Sequence, residues 1–408
     1  MKKFNRHLTK LVRQTMSEYK CTLIYGPRQV GKTTLIDTIR ENKYKKVTFD
    51  DKNTRDYAQR DTSGFLKFYK TPLFIDEVQK LPGIFEHIKV VIDKSEDTGQ
   101  YIFTGSEILQ LLKSSDDSLS TRICLLNMQS LSQSEILGKP NWIFKPNFDE
   151  LINRQSPCEQ IEVFNSIVRG SMPDLNNGKI SNPTSFYQTY IKNTVVKDIR
   201  DEFTSIADET NFWHFIEVLA TYVGEQISYE KLAKLTNLNF RTLKKWINAL
   251  EAIGIIFFLH PYSNNILKRI VKSPKLYFYD TGLVCCLLKF TDGATLLSSD
   301  MGGHLFECYA ISEICKSYIN AGLIPQVYYV QDIFNKKKQI DLIIEGENNT
   351  IYPVEVKSNV SIHSNYFDNI KILQGIEKKK VGPMSVVCCS EELSTKGKDK
   401  IVIPITYI

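Results

Sequence analysis

The stretch CTLIYGPRQVGKTTLIDTI, Cys21–Ile39, constrains this chain more than any other. An apolar run at Thr22–Tyr25 leads into Gly26-x-x-x-x-Gly31-Lys32-Thr33, after which Leu35, Ile36 and Ile39 recur at helical spacing. Strand, glycine loop and helix in this order build a phosphate cradle. The glycines let the backbone curl, so that its N–H groups and the helix N-terminus face one anion. The loop Gly26, Pro27, Arg28, Gln29, Val30, Gly31, Lys32, Thr33 and Thr34 is therefore a candidate nucleotide-binding segment. Lys32 is expected to reach the β- and γ-phosphates of ATP, and the Thr33 hydroxyl to ligate Mg²⁺.

A second signal follows some fifty residues on, where Leu73-Phe74-Ile75 runs uninterrupted into Asp76-Glu77. A continuous apolar run suits a central parallel strand. Asp76 is expected to hold Mg²⁺ through water, which leaves Glu77 as the base that polarises the attacking water. A third strand, QYIFTGS, ends in Thr104 and Ser106, which are either sensors of the γ-phosphate or caps of a following helix. Arg122 opens a further strand, either as an arginine that senses the γ-phosphate in its own site or a neighbour's, or as a surface residue. The five strands predict a doubly wound α/β sheet with one strand between the phosphate-loop strand and the acidic strand, the additional-strand, AAA-like arrangement of P-loop NTPases. This first domain is expected to cover residues 1–140.

Residues 141–226 read as a helical lid or linker, and packing accounts for their patterns. Residues 227–275 are different. Ser228 caps a short apolar-faced helix, a polar turn follows at Thr236-Asn237, and a second helix carries Leu243, Trp246, Ile247 and Leu250 before Gly254 and a strand. Helix, turn, helix and strand predict a winged helix-turn-helix. Between Ile227 and Lys275 nine Lys/Arg stand against two Glu, a net +7 that exceeds the +6 of the whole chain. Arg241, Lys244, Lys245 and Asn248 fall opposite the apolar stripe, with Lys268 and Arg269 in the wing, so this face is a candidate nucleic-acid surface, DNA foremost. The alternative is an ordinary solvated face on a lid.

Residues 276–408 read as helix, strand, hairpin and helix, the order of the PD-(D/E)xK restriction-endonuclease-like core. Asp341 lies on one hairpin strand, and Glu355-x-Lys357 share one face of the next. Asp341 and Glu355, joined by Glu307 from the preceding helix, are candidate Mg²⁺ ligands, with Lys357 orienting or deprotonating the water. The bland alternatives are a cross-face ion pair, or a decayed nuclease fold kept for binding.

Nine cysteines form no C-x-x-C pair, as expected of a reducing, cytoplasmic setting without zinc, and no apolar run is long enough to span a membrane. The motifs GPRQVGKTT, LFIDEVQKL, YIFTGS, VRGSMPDL, YFYDTGL, GHLFE, QIDLII and PVEVKS, taken in order, resemble the prokaryotic AAA-type P-loop ATPases that carry a C-terminal domain of unknown function with a restriction-endonuclease-like core. The resemblance implies ATP binding and hydrolysis, a winged helix and a nuclease-like domain. It departs at Thr121, where relatives often carry Gly before the Arg, and in lacking a Pro before Asp341. The expected function is an ATPase that acts on or senses nucleic acid, with homo-oligomerisation open. The competing reading is a signalling or scaffold ATPase whose last domain binds protein.

Overall fold

A computed structural model describes residues 3–40, 43–106, 122–154, 157–196, 199, 209–262, 273–332, 335, 338–375, 379–397 and 399–408. The first sheet contains β1 (Cys21–Tyr25), β2 (Lys45–Thr48), β3 (Leu73–Asp76), β4 (Tyr101–Gly105) and β5 (Ile123–Asn127). All pairings are parallel and the order is β2-β3-β4-β1-β5, with Tyr25 opposite both Gly105 and Asn127. One strand, β4, separates β1 from β3, as the spacing of the motifs predicts. Parallel strands covered on both faces can be apolar throughout, and β3 and β4 are buried along their whole length. One face packs Phe65, Ile84, Phe85 and Ile88 against Leu23, Ile75 and Phe103. The other packs against α1 (Thr9–Glu18) and α2 (Lys32–Ile39) and joins a core reaching Tyr407.

Between the sheets lie α3 (Gln133–Leu137), α4 (Gln160–Arg169), α5 (Pro183–Tyr190) and α6 (Glu209–Ala220). Then α7 (Tyr229–Thr236) and α8 (Phe240–Ala252) meet at Asn237, which sits in the left-handed region at φ 52°. Ser228 and Asn239 cap the two helices, accepting from the N–H groups of Lys231 and Thr242. The chain leaves α8 through Gly254 (φ 75°) into the antiparallel hairpin β6 (Ile256–Pro261) and β7 (Lys275–Phe278). Residues 263–272, with the expected wing residues Lys268 and Arg269, lie outside the described residues.

This hairpin does not stand alone. β6 also pairs in parallel with β8 (Val327–Gln331), placing His260 opposite Tyr328. The sheet continues through β9 (Gln339–Glu345), β10 (Thr350–Lys357), β11 (Met384–Cys388) and β12 (Lys400–Pro404). The boundary expected between residues 275 and 276 therefore falls at the first residue of a strand inside one continuous sheet. β9 and β10 form the predicted antiparallel hairpin, with Val354 opposite Leu342, and β11 runs parallel to β10. α9 (Thr281–Leu287) and the long α10 (Met301–Ile319) cover the sheet. α10 is buried nearly all round, Glu313 and Lys316 included, which is the pattern of a helix enclosed by its own protein. No helix among the described residues is long and apolar enough to cross a membrane.

The VRGSMPDL and YFYDTGL motifs find their role in this packing. Gly170 and Gly282 pass so closely that a Cβ on Gly282 would lie 2.7 Å from the Gly170 Cα. Buried Asp280 holds the crossing, accepting hydrogen bonds from the Tyr187 hydroxyl (2.8 Å), Gly282 N (2.9 Å) and Ser171 N (3.2 Å).

Candidate active site

The phosphate loop is shaped by three residues in the left-handed half of backbone space: Gly26 (φ 143°), Gln29 (φ 63°) and Gly31 (φ 95°). Gly26 admits no side chain, because a Cβ there would lie 2.1 Å from the Met128 carbonyl oxygen. Lys32 opens α2 and is buried, its Nζ donating to the carbonyls of Gly26 (2.8 Å) and Pro27 (2.7 Å). Thr33 and Thr34 follow on the first turn, Thr34 exposed. The Arg28 carbonyl accepts from the Tyr190 hydroxyl at 3.5 Å, and Val30 is buried.

Asp76, at the C-terminal end of β3, is buried, and its Oδ1 receives the Thr33 hydroxyl at 2.8 Å and the Thr104 hydroxyl from the end of β4. Glu77 follows in the left-handed region at φ 57°. Its Oε2 accepts from Gln79 Nε2 at 2.7 Å, and the same amide nitrogen donates to Ser106 Oγ at 3.0 Å. Thr104 and Ser106 are thus joined to the acidic pair through hydrogen bonds. Arg122 is not brought here. It precedes β5 at the opposite end of the sheet and pairs with Asp93 at 2.8 Å. In a parallel sheet the residue before a strand points away from the crevice at the strands' C-terminal ends, so an intramolecular phosphate-sensing role for Arg122 is corrected.

Two residues here gave little sequence signal. Gln79 could be sought only as a polar neighbour two positions past Glu77. Arg6 had no local signal at all. Its buried guanidinium donates to the carbonyls of Val30 (2.6 Å) and Gln129 (2.7 Å) and to Glu135 Oε1 (2.9 Å). It therefore ties the loop to the segment after β5. Burial would raise the Glu135 carboxyl, but the Arg6 charge, aided by His7, outweighs it and holds the group below its usual range.

Residues 18–137 match the family model of the AAA domain. This region is an AAA-type P-loop ATPase domain. Residues 161–294 and 302–408 match two further family models, each described as a domain of unknown function. An uncharacterized protein of Mycobacterium tuberculosis is 24% identical over 339 residues, 82% of this chain and 69% of its own length. One of Methanocaldococcus jannaschii is 25% identical over 395 residues, 88% of this chain and 76% of its own. A solved Walker-type ATPase of Pyrococcus abyssi is 14% identical with a TM-score of 0.41, covering 69% of this chain and 94% of its own. The RuvB Holliday junction branch migration motor of Thermotoga maritima is 16% identical with a TM-score of 0.30, covering 61% and 88%.

Outside the ATPase domain, a second charged cluster joins β7, β9, β10 and α10. Lys357 Nζ lies 2.9 Å from Asp341 Oδ2 and 2.8 Å from Glu355 Oε2. Asp341 also accepts from Val356 N at 3.0 Å, and Glu355 from Asn369 Nδ2 at 3.0 Å. Glu307 is held separately, by the Tyr277 hydroxyl at 2.6 Å and Lys275 Nζ at 3.3 Å. Among the described residues no three His, Cys, Asp or Glu side chains are grouped to hold one metal ion. The expected metal centre of Glu307, Asp341 and Glu355 is therefore not assembled: the Lys357 ammonium stands between two of the acids, and Lys275 and Tyr277 hold the third. Lys275 and Tyr277 were missed because they belong to β7, far from the motif in sequence. Burial and the nearby Asp341 charge push Glu355 up to about 8, and raise Glu307. Burial alone would raise Asp341 too, but Lys357 and then Lys275 bring it below the usual carboxylate range.

Arg241, Lys244, Lys245 and Asn248 are all exposed, on the side of α8 opposite buried Leu243, Trp246, Ile247 and Leu250.

Proposed function

We infer that the chain is a magnesium-dependent ATP hydrolase that engages nucleic acid through α8. One observation carries the first half: Asp76 Oδ1 meets the hydroxyls of Thr33 and Thr104 directly beside Glu77. Thr33 and Asp76 offer hard oxygen donors that suit Mg²⁺, which when bound neutralises charge on the β- and γ-phosphates. Lys32 reaches the same phosphates from the loop. Glu77 accepts a proton from water as the water oxygen bonds to the γ-phosphorus. The bond from that phosphorus to the bridging oxygen breaks, and ADP leaves with the bridging electron pair. Lys32→Ala and Glu77→Gln are each expected to abolish steady-state phosphate release measured with purified protein, and full turnover in either would overturn the assignment.

The second half is supported by the exposed Arg241, Lys244, Lys245 and Asn248. In this proposal the Asp341–Glu355–Lys357 cluster is nuclease-like in composition but binds rather than cuts, because the Lys357 ammonium occupies the space between the two acids. Mg²⁺-dependent cleavage of DNA or RNA that vanishes in Asp341→Ala would overturn that part. A second reading, protein docking, is favoured by Leu235 and Phe240, exposed by 54% and 55% on the same helix pair.

A further inference from the structure

We propose that Gln79 is the residue that orients Glu77 toward the attacking water. The inference rests on the ATPase reading above, with Glu77 as base. Glu77 adopts the left-handed conformation and opens the 3-10 turn Val78–Lys80, which returns the Gln79 side chain to the Glu77 carboxylate. Gln79 is only 5% exposed. Its Nε2 bridges Glu77 Oε2 at 2.7 Å and Ser106 Oγ at 3.0 Å.

The orientation of this amide is fixed by chemistry. A carboxylate accepts only, so the NH₂ must face it and the amide oxygen must point away. That oxygen, Gln79 Oε1, is buried without a hydrogen-bond partner among the described residues. The NH₂ thus fixes Glu77 Oε2, which leaves the other carboxylate oxygen to take the proton from water. Gln79 is therefore a positioning residue acting through Glu77, and Ser106 is the anchor that keeps the amide in place.

The test compares Gln79→Leu, which keeps an apolar stem one atom shorter and loses both amide functions, with Gln79→Glu, which keeps length and sets a second carboxylate against Glu77. Steady-state ATP hydrolysis, equilibrium binding of a fluorescent ATP analogue and thermal unfolding are measured on the full chain. Both variants are expected to lower kcat at least about tenfold while KM and nucleotide affinity stay within about twofold. In a Glu77→Gln background, Gln79→Leu is expected to add no further loss to the residual single-turnover rate, because a residue acting through Glu77 has nothing left to orient. Wild-type kcat in Gln79→Leu, an equal additional loss in the Glu77→Gln background, or failure of both variants to fold would each overturn the inference. Full turnover in Glu77→Gln alone would instead overturn the reading beneath it.

Discussion

Arg6 and Glu135 are nearly solvent-free, with side-chain exposures of 6% and 0%. A buried pair adds little net stability over an apolar one, but removing one partner strands the other's charge. Arg6→Ala is therefore expected to destabilise the protein by about 3–5 kcal/mol, read by chemical denaturation, while Glu135→Gln costs less because an acceptor for the Arg6 fork remains. Glu355 supplies a pH dependence. Its carboxyl titrates near 8 in the native protein, well above the value of a solvated glutamate. The native state thus holds a proton that the unfolded chain releases. That contribution to stability is complete below the unfolded value and is lost as pH rises through about 8. Denaturation midpoints measured from pH 5 to 8 are expected to fall less steeply in Glu355→Gln than in the native sequence.

At the scale of elements, α8 separates its two jobs by face. Leu243, Trp246, Ile247 and Leu250 are buried, so charge can be removed from Lys244 and Lys245 without touching the core. Lys244→Ala/Lys245→Ala is expected to leave unfolding unchanged and to lower the slope of log affinity against log salt by about one per lost phosphate contact. Unchanged affinity and slope in a titration of duplex and single-stranded DNA would favour the docking reading. The same periodicity explains what was legible beforehand. Strands β1, β3, β4, β9 and β10 and the pair α7–α8 follow from apolar spacing, caps and left-handed Gly or Asn positions, all local in sequence. The phosphate loop and Asp76-Glu77 were legible because their chemistry demands fixed residue types at short range. The partners Arg6 and Lys275 were not, since each acts on groups brought close only by tertiary packing. Sequence spacing presents Glu307, Asp341 and Glu355 as candidate Mg²⁺ ligands, but it does not show that lysines occupy the ground between them.

Across the whole molecule, the two sheets are tied by polar contacts as well as by shared apolar packing. Lys316 Nζ donates to the Leu131 carbonyl (3.1 Å) and Ser171 Oγ (3.3 Å) and pairs with Glu313 (3.0 Å), whose other oxygen accepts from Gln133 N (2.7 Å). These contacts connect α10 directly to the segment leaving β5. On the other side of the phosphate loop, a Cβ at Gly254 would lie 3.2 Å from the Pro27 ring, so the exit of α8 rests on the loop itself.

The pairing of β6 with β8 sets a limit on how this protein can be divided. A fragment beginning at residue 302, where a family model begins, would lack β6 and β7 and leave β8 with an unsatisfied row of backbone donors and acceptors. Exposed flat edges of this kind recruit other chains. Residues 302–408 expressed alone are expected to aggregate or to form strand-swapped oligomers in size-exclusion chromatography. A fragment starting before α7, which keeps the hairpin, is expected to run as a discrete species.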